Sequence, residues 1–238
     1  MLRQALATTA VVAVGAAVPA PGTSLARPSR TSWDGCTRGT GDIRFRAADG
    51  ARLVGHRFGT EPTAVVLAHE TRGSLCSWLQ YARRLAALGY TAFPFDYRNY
   101  GDSQKSAASA RWGGDIAAAV RAVRRLGATK VFVLGASLGG SAALKAAADT
   151  RAGIDGVISV SGAADLADAL AAAGRLRVPS LYVAGELDEP FDDDARRLYS
   201  ATAAETALTI VDRGEHGVRL VAVSAVVRTA IEAFLRSH

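Results

Sequence analysis

The chain has 238 residues, of which 28 are Lys or Arg and 22 are Asp or Glu, giving a formal net charge of +6. That length suits one domain of ordinary size with a substantial core. The basic excess is almost all arginine, scattered through helical stretches such as Arg83-Arg84, Arg121, Arg124-Arg125 and Arg196-Arg197. Such a pattern describes solvated outer faces and argues against a clustered basic stripe that reads nucleic acid.

The N-terminus has the pattern of a secretion signal. Met1-Leu2-Arg3 supplies a positive start, and Ala5 to Ala20 is a small-residue apolar run, short for a membrane span. Ser24-Leu25-Ala26 offers small residues to a signal peptidase, so residues 1–26 are expected to be removed, with an uncleaved anchor as the alternative. The mature protein is then expected outside the cell or in its envelope, without stable membrane insertion. Residues 27–41, rich in Arg, Pro, Ser, Thr and Gly, read as an arm, and residues 42–238 as the folded domain. The chain has two cysteines, Cys36 and Cys76. In an exported protein they predict a disulfide tying the arm to the segment after the third strand; two unconnected thiols are the alternative.

From residue 42 onward, strands and helices alternate. Asp42–Ala47 and Arg52–Phe58 form a predicted hairpin turning at Asp49-Gly50. Thr63–His69 is a buried strand, Ser77–Leu88 a helix stopped by Gly89, and Thr91–Tyr97 the next strand. A helix is predicted over Ala107–Leu126, weakened by Gly113-Gly114 in its middle. A strand from Lys130 to Leu134, a helix from Ser137 to about Ala148 and a strand over Gly156–Val160 follow. The remainder reads as helix Asp165–Ala173, strand Ser180–Ala184, helix Asp193–Ala201, strand Ala207–Val211 and one last helix from Val218 to Leu235. This alternation predicts an α/β fold: an eight-stranded, mostly parallel sheet with helices on both faces. The connection from Val160 to Ser180 has room for one short helix, so no cap domain is expected there.

The most informative motif is Gly135-Ala136-Ser137-Leu138-Gly139, between a predicted strand and a predicted helix. A tight strand-to-helix turn needs glycine where a side chain would strike backbone, and it presents the central serine at its tip. A serine hydroxyl needs a base, and the base needs an acid that fixes its tautomer. Of the four histidines, His56 lies within a strand, His238 is terminal and expected to be mobile, and His69 precedes the serine. His216 follows the last strand, where loops of an open α/β sheet meet ligands, and is the candidate base. Asp188, after the seventh strand, is the candidate acid, with Glu186 as rival; Asp192, Asp193 and Asp194 read as the acidic first turn of a helix.

The ordered set Ser137, Asp188, His216 resembles the α/β-hydrolase superfamily over roughly residues 42 to 236, and Asp96-Tyr97-Arg98-Asn99-Tyr100-Gly101-Asp102-Ser103 is similar to a loop common there. His69-Glu70-Thr71-Arg72-Gly73 resembles dienelactone-hydrolase-like members, which typically carry cysteine where this chain has Ser137. The resemblance implies an oxyanion hole made by the amides of Leu138 and Thr71, or Arg72 with the loop shifted by one. It leaves Glu70 either orienting its loop or approaching Ser137, or paired with Arg72 or Arg98. Trp78 and Tyr97 are read as pocket lining or as core, with core the plainer reading.

The expected activity is hydrolysis of a carboxylic ester, small or polymeric, through an acyl-enzyme. Thioester, lactone and amide chemistry on the same triad is the alternative, and a non-catalytic exported binding module is the alternative of another class. No metal cluster has ligand spacing, no dinucleotide fingerprint appears in the first βα turn, and no cofactor is expected.

Overall fold

The computed structural model describes Cys36, residues 42–105 and residues 111–238. The predicted signal segment, nearly all of the arm and the first residues of the helix expected from Ala107 lie outside the described residues. Eight strands form one sheet in the order β1-β2-β4-β3-β5-β6-β7-β8. They are β1 (Asp42–Arg46), β2 (Arg52–His56), β3 (Thr63–Ala68), β4 (Thr91–Asp96), β5 (Lys130–Ala136), β6 (Gly156–Val160), β7 (Ser180–Gly185) and β8 (Thr206–Val211). β2 runs antiparallel to both neighbours, and all other pairs from β4 to β8 are parallel.

Alternation along each central strand decides which face a side chain enters. Ala64, Val66 and Ala68 of β3 join one core, and Val65 and Leu67 the other; β5 divides Val131 and Val133 from Phe132 and Leu134 in the same way. Because both faces are covered, these strands are apolar throughout, as a parallel sheet requires. The first face carries α2 (Trp112–Arg125), α3 (Leu138–Ala147), α4 (Ala169–Ala173) and α5 (Phe191–Ala201). The opposite face carries α1 (Leu79–Ala87), α6 (Gly217–Val223) and α7 (Ala225–Ser237). Only the five-residue α4 lies between β6 and β7, so no cap covers the sheet there.

Several boundaries differ from the sequence expectation, each for a local reason. The helix after β4 runs from Trp112, so Gly113 and Gly114 stand in its first turn rather than its middle, where they cost less. The last helix is two helices. Ser224 takes an extended conformation (φ −95°, ψ 115°), and its hydroxyl accepts the Val227 amide, a cap worth about 1 kcal/mol. His238 is held rather than mobile: its Nδ1 lies 2.9 Å from the Phe234 carbonyl and its Nε2 3.2 Å from Glu205. Trp78 and Tyr97 are fully buried, so both belong to the core and not to a pocket wall. Cys36 and Cys76 form a disulfide with their Cα atoms 5.9 Å apart.

Candidate functional site

The chain leaves β3 to form β4 on one side and then crosses to form β5 on the other. At such a reversal two successive loops diverge and open a crevice beyond the strand ends, where open α/β sheets bind ligands. Ser137 follows β5 at that crevice, and the loop His69 to Gly73 follows β3.

Ser137 has φ +51° and ψ −118°, a conformation that costs on the order of 1–3 kcal/mol for a non-glycine residue. The surroundings hold it there. A Cβ on Gly135 would strike the Gly139 carbonyl, and one on Gly139 would strike the carbonyl of Ala68. Helix α3 therefore starts against the end of β3, which brings Leu138 beside the loop that carries Thr71. The Leu138 amide opens α3 and has no intrahelical acceptor. Thr71 and Arg72 are both exposed, and Arg72 has φ +64°.

On the other side of the crevice, Asp188 and His216 are joined. His216 Nδ1 lies 3.1 Å and 2.9 Å from the two Asp188 carboxylate oxygens. A carboxylate at Nδ1 fixes the proton there in the neutral ring and leaves Nε2 as the acceptor. The Asp188 side chain is 8% exposed and that of His216 35%. Phe191 packs on the imidazole with ring centroids 4.3 Å apart. Glu186 points to solvent, and Asp192, Asp193 and Asp194 occupy the first turn of α5. Gly185 makes the turn into Asp188, since a Cβ there would strike the Arg213 carbonyl.

Three residues that sequence reasoning did not place hold the His216 loop. Gly217 has φ +56°, and a Cβ on it would strike Glu70 Oε2. Its amide donates to the Ser161 hydroxyl at 3.1 Å, and Ser161 is itself buried after β6. The next amide, Val218, donates to Glu70 Oε2 at 3.1 Å. Glu70 thus ties the loop after β3 to the loop after β8, and it pairs with neither Arg72 nor Arg98. No local signal announces a bond between residues 148 positions apart. Ser137 Oγ makes no hydrogen bond to any described residue. A Cβ on Gly217 would stand in ordinary contact with Ala136, so the loop of His216 passes near the Ser137 turn; hydrogen bonds at such sites tighten when substrate arrives.

His69, the other strand-end histidine, is a different object. It is fully buried, its Nδ1–H donates to the Glu70 carbonyl at 2.8 Å, and its Nε2 faces the Tyr97 amide at 3.4 Å. Burial pulls its pKa down to about 4, so it stays neutral and structural. His56 lies 3.4 Å from Asp42 across the hairpin. Arg98 is engulfed: its guanidinium is bound by Asp115 at 2.6 Å and by Asp49 at 2.7 Å.

Solved structures share this fold. An esterase of Pyrococcus furiosus superposes with a TM-score of 0.69 at 16% identity, over 83% of this chain and 90% of that one. An enol-lactonase from Burkholderia xenovorans LB400 also gives 0.69 at 16% identity, over 81% and 99%. A dienelactone hydrolase from Anabaena variabilis gives 0.65 at 20% identity, over 76% and 92%. The chain has the α/β-hydrolase fold. Within this α/β-hydrolase-fold protein, the family profile of the serine aminopeptidases, S33, matches residues 60–170, a stretch that includes Ser137 and stops short of Asp188 and His216. No curated protein sequence matches the chain.

Proposed function

We propose that this α/β-hydrolase is an exported serine hydrolase that cleaves carboxylic esters through Ser137, His216 and Asp188. The reading is supported by the Asp188–His216 hydrogen bond and by the strained conformation of Ser137 at a glycine-walled turn. His216 Nε2 takes the Ser137 proton as Oγ attacks the acyl carbon. The amides of Leu138 and Thr71 hold the resulting oxyanion. The alcohol leaves with the proton from His216; water, deprotonated by His216, then attacks the acyl-enzyme, and Ser137 recovers its proton as the acid departs. Asp188 keeps the imidazole in the Nδ1–H tautomer and stabilises the imidazolium in both halves.

Ser137→Ala is expected to fold as the parent does, to lose about 1,000-fold or more in turnover of p-nitrophenyl butyrate, and to resist a fluorophosphonate probe that labels the parent. Turnover at the parent rate in this variant would overturn the assignment. Lactones are a second substrate reading, supported by the enol-lactonase and dienelactone hydrolase among the structural neighbours. Export is supported by the apolar Ala5–Ala20 run and by the Cys36–Cys76 disulfide, a bond that persists in oxidising compartments. Intact mass of protein collected from the culture medium is expected to correspond to a chain starting at Arg27; intracellular retention of the full-length chain would oppose it.

A further inference from the structure

The His216 imidazole has an aromatic neighbour that lies outside the core. Phe191, the first residue of α5, is half-buried, and its ring lies on the imidazole with centroids 4.3 Å apart and planes at 51°. Ala195 and Leu198 of the same helix pack into the core on that face, whereas Phe191 belongs to neither core of the described residues. Its place is set from Asp188, because the Phe191 amide donates to the Asp188 carbonyl at 2.7 Å. One turn of chain thus presents a carboxylate to Nδ1 and an aromatic face to the ring.

Triad chemistry says what stands beside that face during a reaction. The imidazole that takes the serine proton hands it to the departing alcohol oxygen, so that oxygen comes within hydrogen-bond reach of Nε2. Phe191 is in van der Waals contact with the same ring. The acyl carbon is held from other elements in the proposed reaction, by Ser137 and by the amides of Leu138 and Thr71, after β5 and β3. Asp188, Phe191 and His216 follow β7 and β8. The two halves of an ester therefore face different loops, and the alcohol half faces the one large aromatic ring known to touch the base.

We propose that Phe191 forms the wall of a subsite for the alcohol half of the substrate, and that the preferred substrates are esters of apolar alcohols, alkyl or benzylic. This rests on the hydrolase reading. Phe191 is then a specificity residue: it touches the leaving alcohol and, by microscopic reversibility, an alcohol that attacks the acyl-enzyme.

Butyrate esters of methanol, butan-1-ol, hexan-1-ol and benzyl alcohol test the subsite, with the released acid followed by titration. Because kcat/KM covers every step up to departure of the alcohol, it reports the alcohol side. In the parent, hexyl and benzyl butyrate are expected to exceed methyl butyrate about tenfold, the low end of what a methylene gains in an apolar pocket. Phe191→Ala is expected to reduce that ratio to about twofold and Phe191→Leu to restore part of it, while ethyl acetate, ethyl butyrate and ethyl hexanoate keep the order they have in the parent. Product partition supplies a readout that a misplaced His216 would not move, since both acceptors use the same base. Hexan-1-ol is expected to intercept the butyryl-enzyme about tenfold better than methanol in the parent, and about equally well in Phe191→Ala. A parent without preference for the larger alcohols, an equal fall for methyl and hexyl butyrate in Phe191→Ala, or an acceptor ratio unchanged by that substitution overturns the proposal and leaves the hydrolase reading standing. A parent that turns over no ester and takes up no fluorophosphonate overturns the hydrolase reading, and the subsite with it.

Discussion

Two polar clusters stand beyond the carboxyl ends of strands in this sheet, and they are completed to different degrees. Behind β4, Arg98 is enclosed by the carboxylates of Asp115 and Asp49, and Asp115 also accepts the Arg98 amide. Asp96, two residues before, accepts the amides of Leu75 and Asp102 at 2.7 Å and 3.0 Å. These groups are satisfied from every side. Behind β5, β7 and β8, the pair of Asp188 and His216 is satisfied on one side only, and Ser137 Oγ faces an open crevice. A cluster whose bonds are all made locks a loop. One that leaves an acceptor nitrogen and a strained hydroxyl unspent has groups free to act, as the proposed function requires.

The contrast separates what each cluster should control, and the largest expected effect lies in the open one. Asp188→Asn keeps the shape of the acid but lets the ring adopt the wrong tautomer. Turnover is expected to fall by about 10,000-fold, the scale seen for such a change in other triads, with the unfolding midpoint close to the parent. Asp115→Ala inverts the pattern. It leaves the Arg98 charge buried with Asp49 alone and should cost about 3–5 kcal/mol in denaturant titration while kcat of the folded protein stays near the parent. A loss of stability from Asp188→Asn equal to that from Asp115→Ala would dissolve the distinction between the two clusters.

How much of this could be read before folding depends on how local the determinant is. Gly135 and Gly139 were legible because a strand-to-helix turn dictates them over five residues. Asp188 was legible through Gly185, which must turn the chain where β7 ends. The break at Ser224 was not, because serine is tolerated inside helices and only its bond to the Val227 amide reveals the cap. The partner of Arg98 was out of reach as well. The sequence offered Glu70 as a partner for Arg98, but the carboxylates that enclose it come from the β1–β2 turn and from α2. The Glu70–Val218 bond is of the same kind, made by the closing of the sheet and not by any segment.

The smallest effect is a pH dependence hidden inside the completed cluster. Burial pushes the Asp96 carboxyl up to about 6 from the usual 3.8. Between about pH 4 and 6 the folded chain keeps a proton that the unfolded chain has released, so stability falls as pH rises through that window, by at most about 3 kcal/mol. His69 works in the opposite sense. Its folded pKa of about 4 lies below the usual 6.5, so as pH falls through that interval the unfolded chain takes up a proton the folded chain refuses, and stability falls by a similar amount. In the parent the two slopes oppose each other over about pH 4 to 6, and their sum is nearly flat. Asp96→Asn removes one of them. Its unfolding free energy, measured by denaturant titration across this range, should decline toward acid more steeply than that of the parent, whatever the constant cost of the lost acceptor. Parallel profiles for parent and variant would show that Asp96 is ionised throughout, with its two amide bonds outweighing its burial.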